Sequence, residues 1–390
     1  MLTNNAPQQL TGIALPSLQD EDWKYTSLSP LVAALGAAWW QQRAGTPVAT
    51  PSELTLDSIR INAATASCDR ALPDGVTLRP WRESDHGLFD LPPAPPLPYS
   101  AKLARALADG GICLCIADGV ELEQPILITH PEATGSSARL HGIHIGAGTN
   151  ATLIDHFHGV ATGAGVGTSL CQIRLQANAA LDHYRIQQNS ASHFHLGRIE
   201  IGQHRDSRYR LFAAELGSAL SRLDLVTTLL EQGAECTLNG LMVLAGRQHA
   251  DHHLHINHAA PHCRSRVHYR TVADDRARVV FNGAVRVAKG ANGTDSAQTN
   301  ANLLLSKRAQ VDTKPELEIY NDDVKCAHGA TVGQLDAEQL FYLQSRGIAK
   351  AEARQLLTIA FAEALLDTVA IPELRKVIEQ AIMAKLPHGA

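Results

Sequence analysis

A mainly β fold with a repetitive core is predicted for this chain from three observations. Short β-type runs recur from about residue 111 to 332, separated by turns rich in Gly, Asn, Asp or Ser. Aromatic residues make up only 5% of the chain, so small aliphatic side chains must fill most of the core. A loose repeat places a small residue between a polar turn and alternating apolar positions, at Ala151, Ala179, Ala234, Ala277 and Ala309. Such repeats stack into a solenoid such as a parallel β-helix, and a two-sheet sandwich is the alternative.

The region before this core is a mixed segment of helix and short strands. Ser27 or Ser29 can cap a helix that runs through residues 31–44. Five prolines fall within residues 91–100. Proline cannot join the interior of a helix or a sheet, so this stretch predicts a stiff linker. The predicted first domain is therefore 1–100.

The C-terminal region changes to a helical period. Asp336 can cap a short helix that Gly347 ends, a second helix runs from about Lys350 to Thr368, and Pro372 opens a third. The second helix has an apolar stripe formed by Leu357, Phe361, Ala364 and Leu365. These patterns predict a three-helix domain at 333–390, with a small core of its own and surplus apolar surface for a partner.

Composition excludes several classes of function. A net charge of −5 over 390 residues gives no indication of nucleic-acid or anionic-membrane binding. The N-terminus lacks the pattern of a signal peptide, and the longest apolar runs are shorter than the roughly 18 residues of a membrane helix. Seven scattered cysteines without a CxxC pair argue against a disulfide framework or a zinc knuckle. A cytoplasmic protein is expected.

Common catalytic motifs are also missing from the sequence. A GxxxxGK[ST] phosphate loop is not present, so ATP hydrolysis by this chain alone is not expected. The chain likewise lacks GxGxxG after a strand, GxSxG and HExxH. These absences favour a scaffold over a free-standing enzyme.

Several sets of polar residues have a structural interpretation, and two of these sets also have a functional one. Seven histidines and Cys263 fall within residues 249–268. They could form an iron or zinc site, or the histidines could stack between coils and hydrogen-bond to neighbouring turns. The paired acids at 274–275 and 322–323 could serve hydrolysis or calcium binding, but they occupy turn positions, where Asp stabilises the backbone locally, and the turn role is favoured. Five arginines in the middle strands are interpreted as a solvated face, namely Arg185, Arg198, Arg205, Arg208 and Arg210. Cys113 and Cys115, in an apolar strand pattern, are interpreted as buried small residues.

The most informative segment is KPELEIYNDDVKCAHGATVG at 314–333. It reads as a strand, an acidic turn and a second strand. Alternate side chains of a strand share a face, so Cys326 and His328 are expected to point the same way. A thiolate beside an imidazole suits a soft or borderline metal. A buried cysteine and a structural histidine are the alternative.

This segment resembles the C-terminal signature of the SufB/SufD family, subunits of the SufB–SufC–SufD iron–sulfur cluster assembly complex. The resemblance continues in other motifs: DWKYTSL at 22–28, PHCRS at 261–265, VFNG at 280–283, NLLLS at 302–306 and FYLQSRG at 341–347. Gly329 follows the histidine where SufB typically has glutamate, which resembles the SufD branch.

The resemblance implies a right-handed parallel β-helix at 101–332 and a non-catalytic scaffold function in the cytoplasm. A SufB-like subunit would pair with the β-helix, and a SufC-like ATPase would dock on the C-terminal helices through Leu357, Phe361 and Leu365. ATP would enter only through that ATPase. His328 is then a candidate iron ligand and Cys326 an accessory thiol, at a transient iron or iron–sulfur site shared with the partner.

Two other functions remain open from the sequence. The Asp pairs or the histidine run could serve a β-helical carbohydrate-active enzyme or acyltransferase, although sugar-stacking aromatics are scarce. A metal-binding homodimer is the third possibility, and a dimer in isolation would not exclude the larger complex.

Overall fold

The centre of the molecule is a parallel β-solenoid. The computed structural model describes residues 13–44, 54–85, 89, 98–159 and 163–386. From the fourth strand onward, successive strands alternate between two sheets, and each pairs in parallel with the next but one. Among the described strands, antiparallel pairs occur only in the first coil. This topology confirms the predicted β-helix and rules out the sandwich, whose sheets are antiparallel.

The strands are numbered in chain order. The ten-stranded sheet contains β1 Ile59–Asn62, β2 Ser67–Cys68, β5 Ile126–Pro131, β7 Asn150–His158, β9 Ala180–Gln188, β11 Arg208–Glu215, β13 Glu235–Leu244, β15 Arg264–Ala273, β17 Thr294–Leu304 and β19 Val324–Gly333. The nine-stranded sheet contains β3 Val76–Pro80, β4 Ile112–Ile116, β6 Gly135–Ile145, β8 Gly165–Leu175, β10 His193–Gln203, β12 Leu220–Leu229, β14 His249–His258, β16 Arg278–Val287 and β18 Gln310–Ile319. The α-helices are α1 Ser29–Leu35, α2 Tyr99–Leu107, α3 Ala337–Ser345, α4 Lys350–Leu366 and α5 Pro372–Met383.

The corners between strands hold the small residues that the repeat predicted. Ala179, Ala234 and Ala277 are fully buried there. Asn178 precedes one of them with φ +60°, a left-handed conformation that Asn tolerates. Its backbone N–H donates to the carbonyl of Arg205, 2.8 Å away in the next coil. Successive corners therefore stack on one another.

Inward-facing side chains form rows along the solenoid axis. Leu211, Leu238 and Val267 occupy the same register in three successive strands of one sheet, and all three are buried. Burying each such side chain contributes about 1.5–3 kcal/mol. A coil cannot bury its inner row alone, so stability depends on its neighbours.

The C-terminal helices pack against the outer face of the ten-stranded sheet. Leu374 and Ile378 of α5 join one apolar cluster with Tyr184, Phe212 and Leu241 of the sheet. The expectation that these helices form a core of their own is therefore wrong. None of the helices in the described part of the chain is long and apolar enough to cross a membrane.

The N-terminal region covers the outer face of the other sheet. Trp39 and Leu31 are completely buried against apolar side chains such as Phe194 of β10. The helix predicted through residue 44 ends at Leu35, because Gly36 takes φ +83°. Most of the predicted proline-rich linker, 91–97, lies outside the described residues.

The middle arginines divide into two groups. Arg205, Arg208 and Arg210 are exposed, as predicted, but Arg185 and Arg198 are buried with 1% and 3% of their surface exposed. The solvated-face interpretation is wrong for these two. Arg185 pairs with Glu215 inside the solenoid, and Arg198 pairs with Glu200 under the N-terminal region, with an N–O distance of 2.6 Å.

The histidine run is distributed over several contacts. His252 lies inside the solenoid, where Nδ1 is 3.1 Å from the Tyr269 hydroxyl. His258 Nε2 lies 2.9 Å from the hydroxyl of Ser265, whereas His253 faces outward and contacts Asp251 at 3.0 Å. The run therefore makes separate contacts across the interior and along β14, and the described residues contain no group of three or more candidate ligands placed to hold a metal ion.

Buried histidines should make the fold sensitive to mild acid. Burial lowers the pKa of His156 and His193 to about 3 and of His258 to about 4. Unfolded histidine has a pKa of about 6.5 and so binds more protons than the folded form below that pH. Each should lower the free energy of unfolding by up to about 1.4 kcal/mol per pH unit as pH falls from 6.5 towards these values.

Urea denaturation at a series of pH values between 8 and about 5 measures this effect. Stability should stay nearly constant down to about pH 7 and then fall steeply, before most carboxylates protonate. A free energy of unfolding that is flat between pH 7 and about 5 would contradict the buried, neutral state of these imidazoles.

Candidate functional site

The candidate site lies on the last coil of the solenoid. β18 pairs only with β16, and β19 pairs only with β17, so both strands are edges of their sheets. The turn between them is held on the preceding coil, because the amide of Asn321 donates to the side-chain oxygen of Asn292 at 2.6 Å. The backbone carbonyl of Asp323 also accepts from the N–H of Gly293 at 2.8 Å. The last coil is therefore firmly placed by the coil below it.

Cys326 and His328 lie in one row on β19. They stand opposite Ser296 and Gln298 of β17, which are both buried in the solenoid interior. Parallel strands in register keep equivalent side chains on one face, so both residues continue an interior row. Within the described chain no further strand covers them. Cys326 is consequently half-buried and His328 is exposed.

Burial influences the ionisation of the thiol. It raises the pKa of Cys326, and a hydrogen bond from the backbone of Ser296 partly offsets the rise. The thiol is therefore protonated at neutral pH and must lose its proton when it binds a metal. The imidazole of His328 is the second ligand that this row offers, and it is exposed.

Apolar side chains are exposed at both ends of the last coil. Ile319 is 41% exposed, Tyr320 is 52% exposed and Val332 is 49% exposed. Sequence reasoning did not single out these three residues. Apolar residues at strand ends are common in buried strands, and only the topology shows that nothing within the described ranges lies beyond these three.

The residues predicted to dock an ATPase occupy different environments on α4. Leu365 is only 4% exposed and packs on the sheet. Phe361 is half-buried beneath the guanidinium of Arg270, 4.8 Å from the ring centre. Leu357 instead lines an open apolar groove with Phe341 and Tyr342 of α3. Substitutions at Leu365 would therefore act first through packing within the chain.

The acidic pair Asp274–Asp275 lies in a turn and accepts hydrogen bonds from backbone N–H groups. The backbone N–H of Asp275 donates to Asp274 Oδ1 at 2.8 Å, and the N–H of Gly246 in the preceding coil donates to Asp275 Oδ2 at 3.0 Å. These contacts match the turn interpretation. At the second pair, the backbone N–H of Asp323 donates to Asn321 Oδ1 at 2.9 Å in the turn before β19.

Comparison with known proteins identifies the family. The family model described as SUF system FeS cluster assembly, SufBD core domain, matches residues 127–361, from β5 into α4. The chain belongs to the SufB/SufD family. The matched range includes Cys326, His328, Leu357 and Phe361, so both the solenoid and the candidate site fall within the family domain.

Individual relatives of this SufB/SufD family member agree along almost the whole chain. The iron–sulfur cluster assembly protein SufD of Escherichia coli is 33% identical, over 98% of this chain and 92% of the relative. An iron–sulfur cluster assembly SufBD family protein of Synechocystis is 30% identical, over 97% and 89%. SufD of Bacillus subtilis is 25% identical, over 73% and 66%. The similarity to relatives named SufD confirms the branch predicted from Gly329.

Proposed function

We propose that this chain is a non-catalytic scaffold subunit for iron–sulfur cluster assembly that pairs with a SufB-like subunit through the open end of its solenoid. The observation that carries the proposal is the uncovered last coil. Two ten-residue edge strands, β18 and β19, present unpaired backbone groups there. Another β chain can complete such an edge.

Exposed apolar groups on the same coil support the pairing. Ile319 and Tyr320 are exposed at the end of β18 and Val332 near the end of β19, so the last coil has exposed apolar side chains at both ends beside its sheet edges, as expected for an interface. If a second solenoid covered the last coil, the two sheets would extend across the junction. A homodimer of this chain in isolation would use the same surface.

The row of Cys326 and His328 would lie at this junction. One thiol and one imidazole are too few ligands to hold iron or a nascent cluster, because iron–sulfur centres are normally bound by four protein ligands. A partner that covers the last coil would supply the others. The iron or cluster is then transient cargo, shared by the two subunits and released to acceptors.

Docking of a SufC-like ATPase is assigned to the C-terminal helices. The groove between α3 and α4 exposes Phe341 and Tyr342, which are 72% and 57% exposed, beside Leu357. ATP would act only through this subunit, whose movement would be transmitted by helices that pack directly on the solenoid.

Co-expression with SufB-like and SufC-like subunits, followed by mass determination, tests the pairing. The double variant Ile319→Lys/Val332→Lys should fold normally but lose the SufB-like subunit, because two charges would be buried in an apolar junction. Leu18→Lys is the matched control, since Leu18 is an exposed apolar residue, 54% exposed, in the N-terminal region. If the double variant still assembled like the control, the junction would lie elsewhere.

Charged substitutions on the helices test the ATPase site separately. Tyr342→Asp/Leu357→Asp should release the SufC-like subunit and leave the SufB-like subunit bound, with an unchanged melting temperature. Leu365→Asp should instead lower the melting temperature, because that side chain is buried. Retention of the ATPase by the first variant in pull-downs would contradict the assignment.

A further inference from the structure

A row of basic side chains follows one edge of the solenoid over its last three corners on that side. These corners join β13 to β14, β15 to β16 and β17 to β18. Together they carry four exposed cations, which we call the basic ridge: Arg247, Arg276, Lys307 and Arg308. Within the described residues none of these four side chains forms an ion pair. The basic ridge therefore concentrates positive charge on a chain whose net charge is −5.

Coil packing places the charges of the basic ridge above one another. The first two corners are equal in length and join strands in register, so Arg276 lies above Arg247. The third corner is one residue longer and places both Lys307 and Arg308 above Arg276. Adjacent coils are about 4.8 Å apart, so the four charges fall within roughly 10 Å along the solenoid axis. Like charges stacked in this way repel one another and do not stabilise the fold.

The corners are held together without help from the ridge side chains. Asp274 and Asp275 lie in the second corner, but their oxygens accept from backbone N–H groups, those of Asp275 and Gly246. The hydroxyl of Ser306 in the third corner donates to the carbonyl of Asp275 at 2.7 Å. The guanidinium and ammonium groups of the ridge remain exposed to solvent. They are therefore available to a second molecule.

Both ends of the basic ridge border the C-terminal helical region. Lys385, just after α5, donates to the side-chain oxygen of Gln248 in the first corner at 2.5 Å. Arg354 of α4 donates to the carbonyl of Leu305 in the third corner at 3.0 Å. Leu357 follows within one turn on α4 and lines the apolar groove between α3 and α4. The basic ridge is therefore continuous with the surface to which the ATPase was assigned.

We propose that the basic ridge receives an acidic surface of the subunit that docks in the groove between α3 and α4, and that it steers this subunit into place. The inference rests on the proposed docking and adds the chemistry of the partner, which is a group of carboxylates beside an apolar anchor. Charges at the rim of an interface raise the association rate more than the lifetime of the complex. A nucleic acid fits less well, because the ridge offers only four cations and the chain as a whole is negative.

Association rates of the full-length chain with the ATPase subunit, measured by stopped flow over a series of salt concentrations, test the proposal. Arg247→Glu/Arg276→Glu should slow association about tenfold at about 50 mM salt, because the steering field is reversed. The dissociation rate should change by less than about twofold. At about 1 M salt the two association rates should agree within about twofold, since the Debye length is then only about 3 Å.

The double variant Arg205→Glu/Arg208→Glu is the matched control. It changes the net charge by the same amount, through two exposed arginines at the opposite edge of the solenoid. A ten-residue strand such as β13 separates the two edges by roughly 30 Å, well beyond the Debye length at these salt concentrations. The control should associate at nearly the wild-type rate. Both variants should keep the wild-type melting temperature, because the exposed side chains contribute no packing.

Several results would overturn the proposal. Equal slowing by both variants would mean that only net charge matters, and an effect that persisted at about 1 M salt would mean that contacts, not steering, were lost. A short single-stranded DNA that bound the chain and displaced the ATPase subunit would make the ridge a phosphate site. If Tyr342→Asp/Leu357→Asp kept the ATPase subunit bound, the docking assignment would fail and the ridge with it. Release by that variant, with unchanged association in the ridge variant, would reject the ridge alone.

Discussion

Replacing His328 with alanine should abolish cluster build-up in the assembled complex while leaving the complex itself intact. The imidazole is exposed, so its loss removes little packing and should not change the melting temperature. It is also the only histidine between residues 310 and 333, the segment that forms the last coil. Another imidazole of that coil therefore cannot replace it as a ligand.

The measurement is iron and acid-labile sulfide per complex after reconstitution, with subunit composition determined in parallel. His268→Ala is the matched control, because His268 is also exposed but lies on β15, where Nδ1 contacts the Thr299 hydroxyl at 2.9 Å. The control should keep normal cluster content. Cys326→Ser should lower cluster content less than His328→Ala, as expected for an accessory thiol. Undiminished iron and sulfide in His328→Ala would remove His328 from the proposed site.

Replacing Glu215 with glutamine should destabilise the fold by about 3–5 kcal/mol, because it leaves a buried arginine without its counter-ion. Glu215 is completely buried between Arg185 and His252, whose Nε2 lies 3.1 Å from the carboxylate. Burial alone would raise its pKa, but the charge of Arg185 and the hydrogen bond from His252 lower the pKa to about 2. The carboxylate is therefore ionised at neutral pH.

Urea denaturation of the variant and of a surface control measures this cost. Glu235→Gln is the control, since Glu235 pairs with Arg264 at 3.6 Å on the surface with 46% of its side chain exposed. It should change the free energy of unfolding by less than about 0.5 kcal/mol. The double variant Arg185→Met/Glu215→Leu should recover much of the loss, because apolar pairs often replace buried ion pairs without cost. A loss below about 1 kcal/mol for Glu215→Gln would contradict this expectation. It would mean that water or local rearrangement compensates the unpaired charge of Arg185.

The local features of this chain were predictable because they depend on residues close in sequence. The cap of α3 is an example, since Asp336 Oδ1 accepts from the N–H of Glu338 at 2.8 Å, within one turn. The small corner residues such as Ala179 are another, because each corner needs space within its own turn. The common face of Cys326 and His328 follows from the two-residue period of a strand.

Contacts between coils were not predictable in this way. Arg185 and Glu215 are thirty positions apart and meet only because β9 and β11 pair in one particular register. A one-residue slip would turn Arg185 to the other face of the sheet, where it would have been the solvated arginine that the sequence suggested. The same holds for His252, whose partner Tyr269 lies on another strand, whereas His253 contacts Asp251 on its own strand.

By itself, the sequence determined a repetitive β core, three C-terminal helices and a thiol beside an imidazole, because periodicity and capping act over a few residues, whereas the choice of a β-helix over a sandwich depended on the family resemblance. Only the tertiary structure decided that the helices share their core with the sheet, that two of the five arginines are buried, and that Cys326 and His328 lie on the uncovered last coil. Those outcomes depend on strand register and on which coil comes last. Both depend on packing over the whole chain, because the inward-facing side chains of one coil are buried only when the next coil covers them.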